Sequence, residues 1–205
     1  MFPENSAPVG DTSLIATFYS FEPFVAAAHA YSPSRIQLII AKDTVGKIDA
    51  QIAKVREVYS GVADIKPPVE VKQSDLFAVA KKTVELLEKN SGKTIVNVSG
   101  GQKLMAQGVL YGCYARPKLV DQIVCNELPD INKLVELPKL SFGLSQAKRG
   151  LLGEIERRNG KSIAEIAGKL GKTPGMLYQH LKELKEAGYV DEKFKITLAG
   201  RIALL

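Results

Sequence analysis

Strand-like and helix-like stretches alternate along this chain as far as Asn126, and the alternation narrows the fold class before any single motif is read. "SLIATF" (Ser13–Phe18), "RIQLIIAKD" (Arg35–Asp43), "VEVKQSD" after Pro67-Pro68 and "KTIVNV" (Lys93–Val98) are rich in β-branched and aliphatic residues. Each is long enough for a strand and too short for a helix. Between them lie helix-period stretches. "FVAAAHAYS" follows Pro23, which suits a first helical turn. "VGKIDAQIAKVREVYSG" puts Val45, Ile48, Ile52, Val55 and Val58 on one stripe closed by Gly61. "DLFAVAKKTVELLEKNSG" has Asp75 as a cap, an apolar face of Leu76, Val79, Val84 and Leu87, and Gly92 as a stop. "QKLMAQGVLYGCYA" is a fourth helix, and "KLVDQIVCN" and "NKLVELP" are closing strands. Strands alternating with helices predict an α/β body, a Rossmann-like and mainly parallel sheet with helices on both faces.

The pattern changes across "LPKLSFG" (Leu137–Gly143), which predicts two domains, 1–138 and 139–205. "LSQAKRGLLGEIERRNG" reads as an amphipathic helix capped by Ser145, and "SIAEIAGKLG" as a short helix closed by Gly171. In "KTPGMLYQHLKELKEAG", Thr173 suits the cap, Pro174 the first helical position and Gly188 the end. "YVDEKFKITLAG" reads as two short strands around a tight turn. Helix, helix, turn, helix and hairpin is the order of an α+β winged helix-turn-helix.

Charge separates the same two parts. Of 28 Lys+Arg and 22 Asp+Glu, residues 141–205 hold 12 and 7, leaving 16 and 15 for the first 140. A basic module on a near-neutral body points to a polyanion partner, against the plainer reading of a solvated basic surface. Leu177, Leu181 and Leu184 make one buried stripe on the third helix of the module. Thr173, Gly175, Met176, Tyr178, Gln179 and Lys182 then lie at its start or off that stripe. They are candidate DNA contacts, with Lys193 and Lys195 on the wing turn as contacts to the phosphate backbone. His180 either touches DNA or packs against the first helix of the module, and packing is the favoured role. The stretch "SIAEIAGKLGKTPGMLYQHLKELKEAGYV" resembles the winged helices of the ArsR and MarR repressor families.

With 45% hydrophobic residues the chain can bury an ordinary core. It has no apolar run long enough for a membrane helix, and "MFPENSAPVGDTS" lacks the pattern of a signal peptide. Cys113 and Cys125 have no metal-ligand spacing, and the expectation is a reducing cytoplasm with no membrane association, no metal and no cofactor.

In open α/β sheets, ligands bind beyond the carboxyl ends of the strands. Two segments there stand out, "TFYSFEP" (Thr17–Pro23) after the first strand and "NVSGGQK" (Asn97–Lys103) after the fourth. In the second, two glycines let the backbone approach a ligand, and a helix start offers N–H donors to an anion beside the charge of Lys103. On spacing alone, a double glycine between strand and helix is more often a plain tight turn. Common nucleotide motifs fail. There is no G-x-G-x-x-G. "GKT" at Gly92 and Gly171 and "GKS" at Gly160 lack the glycine a P-loop needs five places earlier, where Leu87, Ile166 and Ile155 stand.

The Asn-x-Ser-Gly-Gly-x-Lys run and the Ser20-Phe21 loop followed by "EPFV" resemble the CARF domain, the CRISPR-associated Rossmann fold. With the C-terminal winged helix, nearly the whole chain is similar to the archaeal CRISPR-associated regulators of type I systems. The resemblance implies a homodimer that binds cyclic oligoadenylate, cyclic tetraadenylate above all, in a cleft spanning both subunits, and double-stranded DNA through its winged helices. It implies ligand contacts from Phe18, Tyr19, Ser20 and Phe21 in the first loop and from Asn97, Ser99, Gly100, Gly101, Gln102 and Lys103 in the second. The bulky Phe18 and Tyr19 depart from related first loops, which often carry a glycine there, a difference that implies either a narrower cleft or a changed ligand preference. A ring of four phosphates suits two helix starts related by a dimer axis.

Three functions compete. The first is a ligand-responsive transcriptional regulator without catalytic residues. The second is a slow, metal-independent ring nuclease in which Lys103 and Ser20 stabilise developing charge. Neither loop holds a His or a carboxylate pair to act as base, and His29 sits within an alanine-rich helix. The third is a dinucleotide-sensing DNA-binding regulator, against which the missing glycine fingerprint counts.

Overall fold

The computed structural model describes residues 11–127, 129–157 and 162–205. Most of the opening stretch read against a signal peptide, the Gly160 decoy and the end of the module's first predicted helix lie outside these. Residues divide into two compact units, Met1–Leu140 and Ser141–Leu205.

The first unit runs β1 (Thr12–Thr17), α1 (Phe21–Tyr31), β2 (Arg35–Ala41), α2 (Asp49–Tyr59), β3 (Asp64–Ile65), β4 (Val69–Val71), α3 (Leu76–Lys89), β5 (Lys93–Asn97), α4 (Lys103–Ala115), β6 (Gln122–Asn126) and β7 (Leu134–Leu137). Among the described residues the seven strands form one sheet, ordered β3-β2-β1-β5-β6-β7, with β4 also beside β2. All pairings are parallel except β6–β7. This is the Rossmann-like sheet that the alternation predicts.

Side-chain alternation explains the continuous apolar runs. Leu14 and Ala16 of β1 face a core with Phe24 and Ala27 of α1 and Ile52 and Val55 of α2. Ile15 faces the other side, with Val79 and Leu87 of α3 and Met105 and Val109 of α4. A strand covered on both faces favours consecutive apolar residues, as in Leu14-Ile15-Ala16, and β1 is buried along its whole length.

Two local readings need correction. The stripe ascribed to the second helix is too long. Ile48, Ile52 and Val55 are buried, but Val45 precedes α2 and is 47% exposed, while Val58 at its far end is 56% exposed. β3 was not foreseen, because two residues carry no periodicity. It and β4 are the pieces of one edge interrupted at Lys66–Pro68, where proline can donate nothing to a ladder.

The second unit contains α5 (Gln146–Glu156), α6 (Ile163–Leu170), α7 (Pro174–Glu186) and α8 (Leu198–Leu204). Its core joins Leu151, Leu152 and Ile155 to Ile166, Leu177, Leu181 and Leu184. Ser145 accepts from the Lys148 N–H, Thr173 from the Met176 N–H, and Ser162 with Glu165 forms a capping box. Glu154 is 6% exposed and accepts from Lys169 on α6 and from Arg157. Those contacts, Lys169 first, hold its carboxyl below the usual range. The predicted hairpin contracts to a single bridge, Val190 with Ile196, and its second half turns into α8. The reason is local: the Thr197 hydroxyl accepts from the Gly200 N–H and starts a helix whose Ile202 and Ala203 are buried.

Candidate functional sites

Strand order reverses direction at β1. The chain passes from β1 to β2 on one side and reaches β5 on the other, so the β1–β5 pair is the topological switch point. The segments leaving the carboxyl ends of these two strands are the two singled out from sequence, and it is at such a point that the ligand crevice of an open α/β sheet lies.

In the first segment Phe18 is a core residue. It is 1% exposed, its ring meets Phe24 edge-on at 5.9 Å, and its N–H donates to the Ile39 carbonyl. Its ring is therefore not presented to a ligand, contrary to the contact expected of it. The polypeptide must bury something large under the α1 start, and Phe18 does so. Tyr19 is 54% exposed. Ser20 is the extended N-cap of α1, and its side chain caps no helix N–H. Phe21 is half-buried against the same core, and its N–H donates to the Gln51 side chain of α2 at 3.1 Å.

The second segment is held from within. Asn97, 1% exposed, donates to the Pro23 carbonyl on α1 at 3.3 Å and accepts the Ser99 N–H at 2.9 Å. The Ser99 hydroxyl donates to Asn97 and accepts the Asn126 N–H at 2.8 Å. Asn97 is thus a positioning residue that ties both segments together, and Ser99 is largely committed to the β5–β6 junction. The glycines have structural reasons. A Cβ on Gly100 would lie 2.3 Å from the Thr17 carbonyl oxygen, and Gly101 has φ +75°. Gly101, Gln102 and Lys103 are exposed. Gln102 is the extended N-cap of α4 and its side chain caps none of the first-turn N–H groups, which leaves them beside the Lys103 ammonium.

Sequence reading missed the neighbouring groups. Lys42, Asp43, Lys72, Gln73, Ser74, Gln102 and Leu104 line a cavity of about 310 Å³ beside this helix start. Lys42 and Lys72 directly follow β2 and β4, so reading every carboxyl strand end would have found them. Gln73 donates to both carboxylate oxygens of Asp43, at 3.1 and 2.9 Å. His29 is exposed on α1. Among the described residues no group of His, Cys, Asp and Glu could hold a metal ion, and no helix is long and apolar enough to cross a membrane.

In the second unit α7 buries its leucine stripe and exposes Met176 (46%) and Tyr178 (59%), with Thr173, Gly175, Gln179 and Lys182 also exposed. The Thr173 hydroxyl is occupied as a cap. His180 is half-buried on the flank of α7, beside Ser145 and Ala147 of the α5 start, the packing side of the two roles weighed for it. Asp191 builds the turn that carries Lys193 and Lys195, accepting the N–H of each at 2.8 Å on its side chain. Lys185 is drawn to Glu192 in an ion pair.

Comparison with known proteins agrees with both architectures. The model of the family described as winged helix-turn-helix DNA-binding matches residues 144–191. No curated protein matches the sequence. Among solved structures, Can2 from Sulfobacillus thermosulfidooxidans, in complex with cyclic tetra-adenylate, is 15% identical with a TM-score of 0.47, covering 93% of this chain and 62% of its own. Csm6 from Enterococcus italicus, bound to cyclic hexa-2'-fluoro-hexa-dAMP, is 11% identical with a TM-score of 0.50, covering 86% and 54%. This chain therefore spans less than two thirds of either, and at such identity the likeness is one of fold. The sheet and the family match together give a Rossmann-like domain followed by a winged helix-turn-helix domain.

Proposed function

We propose that this chain is a CRISPR-linked transcriptional regulator of the cytoplasm that binds a cyclic oligoadenylate, cyclic tetraadenylate for preference, at the β1–β5 crevice. It binds duplex DNA through α7 and the 191–195 turn, works as a homodimer, and acts by binding rather than by catalysis. The observation that carries this is the placing of the uncapped α4 start and exposed Lys103 at the switch point, in a chain that also has a winged helix. Csm6, which shares the fold, was solved with a ligand of the same chemical class. A dimer axis through the crevice would set two helix starts around one phosphate ring and two α7 helices against two half-sites.

Calorimetric titration with cyclic oligoadenylates of several ring sizes and with dinucleotides tests the ligand. Operator affinity, with and without saturating cyclic tetraadenylate, should then differ by a coupling of about 1–3 kcal/mol, matched by the same change in ligand affinity with and without operator. Binding of a dinucleotide and of no cyclic oligoadenylate would transfer the site to the dinucleotide-sensing reading. A second activity, slow ring opening by a ribose 2′-hydroxyl on its adjacent phosphate, is favoured only by the uncommitted Ser20 side chain. Chromatography of ligand incubated with the protein tests it, and intact ligand after many hours removes it.

A further inference from the structure

Gln179 is on the exposed face of α7 and its amide is not free to turn. Its Nε2 donates to Oε1 of Glu183, one helical turn on, at 2.9 Å. Glu183 is held in its turn by Lys148 of α5, whose Nζ lies 2.8 Å from the other oxygen, Oε2. Anchoring Oε2 from a neighbouring helix aims Oε1 at residue 179. A carboxylate only accepts hydrogen bonds, so the amide must offer it nitrogen and turn its carbonyl outward. Contacts from Lys148 first, then Gln179, pull the Glu183 carboxyl down to about 2, so it stays an acceptor at any working pH.

We propose that Glu183 is a positioning residue that fixes the Gln179 amide with its carbonyl outward and thereby sets an adenine preference at the base this residue meets. The proposal rests on the reading that α7 enters a DNA major groove. One N–H is committed to Glu183, which leaves one carbonyl acceptor and one N–H donor. Adenine offers the complement, an N6–H donor and the N7 acceptor. Guanine offers two acceptors, N7 and O6, so one of them would face the amide carbonyl. Cytosine and thymine can each make a single bond. Without Glu183 the amide is free to turn and its second N–H is released, so guanine no longer meets a fixed acceptor.

Selection of bound duplexes from a randomised pool, followed by sequencing, tests this with the full chain. Wild type should enrich adenine over guanine by roughly ten- to hundredfold at one position per half-site, and Gln179→Ala should lose the preference there and nowhere else. Glu183→Gln, whose amide both donates and accepts, should bring that ratio to within roughly threefold of unity while leaving enrichment at other positions, a pattern that mere loss of stability would not produce. Should Glu183→Gln melt far below wild type, Lys148→Gln, which releases only Oε2, is read in the same way and should lower the ratio by at least roughly threefold. An unchanged adenine ratio in the folded variant overturns the proposal. So does a wild-type position that depends on Gln179 but favours another base, with the DNA reading intact. No enriched sequence at all would sink the DNA reading and this inference with it.

Discussion

Gly100→Ala separates a turn held by packing from one kept open for a ligand. An alanine Cβ there would sit 2.3 Å from the Thr17 carbonyl oxygen and 3.0 Å from the Phe18 Cα. Ordinary carbon contacts begin near 3.5 Å, so the β1 end and the β5–α4 turn must part by about 1 Å. Neither can yield easily. Phe18 donates its N–H to Ile39 at 2.9 Å, and the Thr17 hydroxyl donates to the Asn97 carbonyl at 3.4 Å, all in buried surroundings. The cost should reach about 3 kcal/mol, the upper part of the usual overpacking range. At roughly 2–4 °C per kcal/mol, the transition of the first unit should fall by about 10 °C. Gly101→Ala should do less harm. Its positive φ costs roughly 1–2 kcal/mol, and its Cβ would meet the far end of the flexible Met105 side chain. Calorimetry on both variants without ligand checks the ranking. A Gly100→Ala protein that melts within about 2 °C of wild type, or above Gly101→Ala, would refute the packing argument.

Three further outcomes are expected. Lys103→Ala should weaken cyclic tetraadenylate binding by about 1.5–3 kcal/mol with unchanged melting, and equal affinity by calorimetry would remove the anion site from α4. Both Glu183 and Glu154 have carboxyls depressed in the folded state, Glu183 from the ordinary 4.5 to about 2. The stabilisation from Glu183 is therefore present above about pH 4.5 and lost as pH falls toward 2, and that from Glu154 is lost in the same direction. Melting of the second unit followed across that interval should drop, and more gently in Glu183→Gln. Lys195→Ala should weaken binding to all duplexes alike and lower the slope of log affinity against log salt by about one, while Gln179→Ala acts at a single base position.

The alternation of strands and helices was legible because β1, β2, β5 and β6 are largely buried, and burial forces apolar runs. Caps were legible for a related reason: Asp75, Ser145 and Thr173 act through their own side chains on N–H groups three residues on. What escaped was decided between segments. Whether Phe18 faces a ligand or the core depends on α1 folding over it, which no local pattern encodes. Lys42 and Lys72 approach Gln102 only through the strand order. α8 was concealed because "KITLAG" has strand-like residues, and Thr197 decides the matter through one hydrogen bond to Gly200. The link from Lys148 through Glu183 to Gln179 joins residues on two helices, and only one half of it, the spacing of 179 and 183, is visible in the chain.

The crevice has a place in time as well as in space. Its walls leave β1 and β5, which pair Thr12 with Lys93 across most of the first unit's length. Closing so long a loop costs entropy before any contact repays it, so this pairing belongs to the slow, non-local part of folding. The β1–β2 pair, with Ser13 opposite Arg35, closes a much shorter loop and can form sooner. A nascent or partly folded chain with only β1 and β2 in place has half a crevice and no α4 start beside it. Under the proposed function, ligand competence is acquired late in folding, and a cyclic nucleotide that binds the finished crevice would favour the completed sheet over its precursors by mass action.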